Sequence, residues 1–167
     1  MKGTSIMKNN GTIFSRKILL FLIFILLLVI AGCSSNSSND ADTENKEKVT
    51  IYKSFSCGCC GIYTQYMDKE GYDQEVVDVQ DISLIKAKYN IPSNMQSCHT
   101  TVIGNYFVEG HVPVEAIEKL LSEKPDIAGI AMPGMPSGSP GMAGAKTGPF
   151  VIYAVHADGS TEEFMRM

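Results

Sequence analysis

Val49-Thr50-Ile51-Tyr52-Lys53-Ser54-Phe55 runs directly into Ser56-Cys57-Gly58-Cys59-Cys60-Gly61, and that turn into Ile62-Tyr63-Thr64-Gln65-Tyr66-Met67. The first piece is β-branched and aromatic, the composition of a strand. From Gly61 the last piece sets Ile62, Tyr63, Tyr66 and Met67 on one helical face, with Gly71 as its end signal. Three cysteines therefore stand where a strand becomes a helix. Free backbone N–H groups and the helix dipole favour anions at that point, so a thiolate is stabilised.

Working outward, residues 75–79 read as a second strand. Asp81 caps a helix with Ile82, Ile85 and Tyr89 in step, stopped by Pro92. Residues 100–103 and 106–109 form a hairpin around Gly104-Asn105. Pro113 opens a further helix, with Val114, Ile117 and Leu121 at spacings of three and four. The order is strand, helix, strand, helix, strand, strand, helix. A strand–helix–strand unit makes a parallel pair with a right-handed crossover. The hairpin and last helix complete a thioredoxin-like mixed sheet with flanking helices. Residues 150–154 and 161–165 flank Ala157-Asp158-Gly159-Ser160 and predict an extra C-terminal β-hairpin. The Gly-, Pro- and Met-rich stretch 127–147 predicts a long loop.

The chain has 167 residues. Its first third lies outside this pattern. Lys2, Lys8, Arg16 and Lys17 precede an apolar run over residues 18–30, too short to span a membrane comfortably. Ile30-Ala31-Gly32-Cys33 looks like a lipobox, the site where a leader (residues 1–32) is removed and Cys33 is acylated. Residues 33–48 then read as the lipidated cysteine and a polar, flexible tether. The domain is expected over residues 49–167, lipid-anchored at the extracytoplasmic face of the cell membrane. With the leader's four basic residues removed, 10 basic residues face 18 acidic ones, a net charge of −8. That balance argues against a nucleic-acid partner and does not oppose metal cations.

Four cysteines remain for chemistry: Cys57, Cys59, Cys60 and Cys98. In a thioredoxin-like fold Cys98 precedes the first hairpin strand, beside the motif loop. Soft thiolates select Cu(I), zinc or iron–sulfur clusters. Zinc usually takes two cysteine pairs from separate loops. Three ligands within four residues suit bridged thiolates in a small copper–sulfur cluster better. Cys57 and Cys60 also have redox spacing, so a dithiol pair in an oxidoreductase is the second reading. Structural disulfides are the third. Met132, Met135 and Met142 are candidate accessory ligands in a loop that can cover the thiolates; taken singly, each reads as a core gap-filler. His99 adjoins Cys98 and joins the candidate ligands. His111 reads first as a structural histidine and second as a ligand. His156 reads as surface.

Several strings together are similar to a known family. They are Tyr52-Lys53-Ser54 through Cys57-Gly58-Cys59-Cys60-Gly61, Val76-Val77-Asp78-Val79, and Ser97-Cys98-His99-Thr100. They continue with Val108-Glu109-Gly110-His111-Val112-Pro113 and Met132-Pro133-Gly134-Met135-Pro136, then Gly138-Ser139-Pro140-Gly141-Met142. On these, residues 49–167 resemble a metal-binding family long described only as a domain of unknown function, which includes the CopG-type copper-resistance proteins. The resemblance implies a thioredoxin-like fold and a multinuclear Cu(I)–thiolate cluster on Cys57, Cys59, Cys60 and Cys98. It also implies copper ions as the partner, handled outside the cytoplasm; copper-export or copper-chaperone proteins are candidate protein partners. One departure from thioredoxins is visible. His99-Thr100 stands where their proline precedes the hairpin strand, which argues against ordinary disulfide exchange with protein substrates.

Overall fold

The computed structural model describes residues 47–167. The expected leader, the lipidated Cys33 and the tether up to residue 46 lie outside the described residues. Among the described residues no helix is long and apolar enough to cross a membrane.

The chain runs β1 (Val49–Ser54), α1 (Gly58–Lys69), β2 (Gln74–Val79), α2 (Ile82–Lys88), a 3-10 turn (Ser93–Met95), β3 (His99–Ile103) and β4 (Tyr106–Glu109). It continues through α3 (Val114–Glu123), β5 (Gly129–Ala131), β6 (Val151–Val155) and β7 (Thr161–Arg166). All strands join one mixed sheet in the order β2-β1-β3-β4-β5-β6-β7. β1 is parallel to β2 and antiparallel to β3, and β3 is antiparallel to β4. That four-strand core is the thioredoxin-like arrangement. Asp81 caps α2 by accepting from the Ser83 N–H at 2.9 Å, as its sequence position requires.

Two differences from the expected elements matter. First, α1 begins at Gly58 rather than Gly61, so Cys59 and Cys60 lie in its first turn and Cys57 is its N-cap. Second, the stretch expected to be loop contains β5. Three residues are too few to show a period of two. Pairing on both sides makes the strand: parallel to β4, antiparallel to β6. Gly129 is required there, because a Cβ would sit 2.2 Å from the Phe107 carbonyl oxygen. Through β5 the C-terminal hairpin extends the main sheet.

Alternation along the strands divides the interior. On one face Ile51, Ile103, Val108 and Ile130 pack with Tyr63 and Met67 of α1 and Ile117 and Leu120 of α3. On the other, Phe107, Ala131 and Val155 pack with Ile91 and Met95, beyond α2. Residues 99 and 101 share the α1 face with Ile103. Thr100 turns the opposite way, directly across from Glu109.

Candidate metal centre

Helix geometry brings the cysteines together. The tight turn after β1 sets Cys57 at the head of α1, and the first helical turn carries Cys59 and Cys60. Cys98 arrives from the residue just before β3, which pairs beside β1. The four sulfurs all lie within 4.8 Å of one another. Cys60 is buried; the other three are half-buried, so the centre opens to one side. Cys57 and Cys60 are joined as a disulfide, while Cys59 and Cys98 are free thiols. Cys59 Sγ stands 3.6 Å from Cys57 Sγ.

A second ligand set overlaps the first. Cys60, Cys98, His99 and His111 also have donor atoms within 4.8 Å of one another. Cys98 Sγ is 2.9 Å from His111 Nε2 and 3.5 Å from His99 Nδ1. His111 Nδ1 donates to the Pro140 carbonyl at 2.7 Å, which leaves Nε2 as the lone-pair nitrogen facing the sulfur. His111, read first from sequence as structural, thus stands in the donor cluster. His99 is fully buried, and its Nε2 has no hydrogen-bond partner. Tyr63 stacks against His99 with ring centroids 4.4 Å apart and anchors its own hydroxyl on the Val112 carbonyl at 2.9 Å.

Burial holds the His99 imidazole well below the usual histidine range, helped by His111 and Lys86. Burial likewise lowers His111, against the opposing pull of the Pro140 carbonyl. Both rings are therefore neutral at neutral pH, with lone pairs free for a metal. Burial, then the neighbouring Cys59, pushes the Cys98 thiol up to about 11.

The donor chemistry fits a soft ion. Thiolate sulfur and neutral imidazole suit Cu(I) or zinc and not calcium or magnesium. His99 Nδ1 and His111 Nε2 both lie against Cys98 Sγ, so two imidazole nitrogens join the sulfur donors. The four-sulfur set first requires two electrons to open the Cys57–Cys60 disulfide into two thiolates.

The loop after β5 covers part of this centre. Gly141 has a φ of +79°, and a Cβ there would meet Tyr63 N at 2.8 Å and Cys59 O at 2.9 Å. Glycine thus lets the loop lie directly on the first turns of α1. Of the candidate methionines, Met132 is buried in the main core, Met135 is 56 % exposed and Met142 is half-buried, next to Gly141. His156 faces Glu162 at 3.1 Å in the C-terminal hairpin.

A family model described as "Protein of unknown function, DUF411" matches residues 95–142, which hold Cys98, both histidines and the loop. Two solved structures are similar to the chain, "Copper resistance protein copG- Form 2" and "Copper resistance protein copG- Form 1". Each is 33 % identical, with a TM-score of 0.68, over 73 % of this chain and 98 % of the other. The chain belongs to the CopG family of copper-resistance proteins. No curated protein matches it.

Sequence reasoning passed over two residues beside this CopG-type centre, Lys86 and Glu109. They form a buried ion pair below the Cys98 segment. A sequence cue existed: Lys86 falls four after Ile82 and three before Tyr89, within the apolar stripe of α2.

Proposed function

We propose that this chain binds copper outside the cytoplasm, taking Cu(I) into a multinuclear thiolate cluster on Cys57, Cys59, Cys60 and Cys98. The observation that carries the reading is the gathering of four sulfurs within 4.8 Å, half-open to solvent. Thiolate bridging lets so compact a set hold several Cu(I) ions, and the open side gives a donor or acceptor protein access. His99 and His111 extend the donor set, and Met142 lies at the covering loop. Lipidation at Cys33 would keep the protein at the membrane surface, where it sequesters copper or passes it to export or chaperone proteins.

The test is Cu(I) uptake by the reduced full-length chain under anaerobic conditions, against a competing chelator. Uptake is expected to be lost in Cys57→Ser and in Cys98→Ser. Full uptake by Cys98→Ser would sink the shared site.

The Cys57–Cys60 disulfide favours a second reading, an oxidoreductase. Two thiolates can reduce two Cu(II) ions to Cu(I) and close that disulfide, which balances electrons. Insulin reduction by the metal-free, reduced chain, dependent on Cys57 and Cys60 but not on Cys98, would favour thiol–disulfide turnover instead.

A further inference from the structure

Glu109 belongs to neither ligand set, yet its carboxylate is fully buried and meets three donors. Oε1 accepts from the Ser97 N–H at 2.6 Å and also pairs with the Lys86 ammonium. Oε2 accepts from the Thr100 hydroxyl at 2.6 Å. Ser97 and Thr100 flank Cys98 and His99. One carboxylate therefore grips both ends of the short segment that carries a thiol and an imidazole into the metal centre. Strand alternation makes this workable. Thr100 and Glu109 are cross-strand partners on the α2 face, whereas His99 faces α1. The segment is held from one side of the sheet and presents its ligands on the other.

Stability does not explain this arrangement. An apolar pair of similar volume usually does as well as a buried ion pair, or better. What an apolar pair cannot supply is the double grip on residues 97 and 100. Contacts of this kind order metal ligands before the metal arrives. We propose that Glu109, locked in place by Lys86, is a positioning residue that fixes Cys98 and His99 against the Cys57–Cys60 turn for metal capture. The proposal rests on the copper-binding reading above.

Two variants of the full-length chain test it, reduced and anaerobic. The readouts are Cu(I) affinity against a chelator, the thiolate-to-copper absorption band and the thermal midpoint. Lys86→Met/Glu109→Leu removes the pair without stranding a charge. It should stay folded, melting somewhat below wild type because the Ser97 N–H and the Thr100 hydroxyl lose their acceptor, yet bind Cu(I) about 10- to 100-fold more weakly, the range for outer contacts to metal ligands. Thr100→Val keeps the pair and removes one grip, and should weaken binding roughly fivefold, the worth of about one hydrogen bond. Both should shift the absorption band. Wild-type affinity and an unchanged band in Thr100→Val, or in the folded double variant, would overturn the proposal; should the double variant not fold, Thr100→Val decides alone. A wild-type chain that takes up no Cu(I) would overturn the copper reading, and this proposal with it.

Discussion

The two faces of β3 carry opposite kinds of chemistry a few ångströms apart. On the α1 side, Cys98, His99 and His111 form a soft, neutral cluster in which one sulfur meets two imidazole nitrogens. On the α2 side, Lys86, Glu109 and Thr100 form a hard, charged cluster in which both carboxylate oxygens have donors. The difference teaches how a metal site is told from a structural one. Sulfur and neutral imidazole gathered with their donor atoms together offer lone pairs to a soft ion; a carboxylate with donors on both oxygens has little left to offer. The same strand supplies both because successive residues point to opposite faces.

The contrast can be broken most forcefully on the hard side. Lys86→Met leaves Glu109 buried without its countercharge, and should cost about 3–5 kcal/mol in chemical denaturation of the metal-free protein. A loss under about 1 kcal/mol would mean that the pair is not the closed unit described here.

A smaller effect is expected where the loop meets α1. Gly141→Val must hold a β-branched residue at positive φ and displace Tyr63 N or Cys59 O. Strain of that kind costs about 1–3 kcal/mol. The loop should lift, and residues 132–148 should become more sensitive to limited proteolysis. Unchanged proteolysis would show that the loop does not depend on that contact.

The smallest effect sharpens the soft side through pH. His99 and His111 have folded-state values below the ordinary histidine value of about 6.5. Above that pH both folded and unfolded chains hold neutral rings, and the two histidines add no slope. As pH falls through about 6.5, the unfolded chain takes up protons that the folded one refuses, so stability declines until the folded-state values are reached. Urea midpoints of the metal-free chain from pH 7.5 to 5 should fall, and less steeply in His99→Gln. An identical slope in that variant would remove His99 from the account.

Much of this was legible in advance. Strand composition at residues 49–55, the Asp81 cap and the Gly104-Asn105 turn are local features, and local features survive in sequence. The gathering of Cys98 with the cysteine turn followed from topology once β1 and β3 were neighbours. β5 was not legible, because its three residues are made a strand by partners on both sides. His111 was a named candidate ligand, but the orientation of its ring was not legible, because Nδ1 is held by a carbonyl 29 residues away. The Lys86–Glu109 pair was hidden for a similar reason. Lys86 stands out only by its place in the apolar stripe of α2 and Glu109 by nothing local, and the register of β3 with β4 and the packing of α2 bring them together.

The central claim is that the four cysteines form one soft-metal cluster. The most direct measurement is anaerobic Cu(I) titration of the reduced full-length chain against a competing chelator, with total-metal analysis of the product. Tight uptake of more than one copper per chain, with no thiol left reactive at Cys57, Cys59, Cys60 or Cys98, is the predicted result. No competitive uptake, or a single bound zinc with copper excluded, would contradict it.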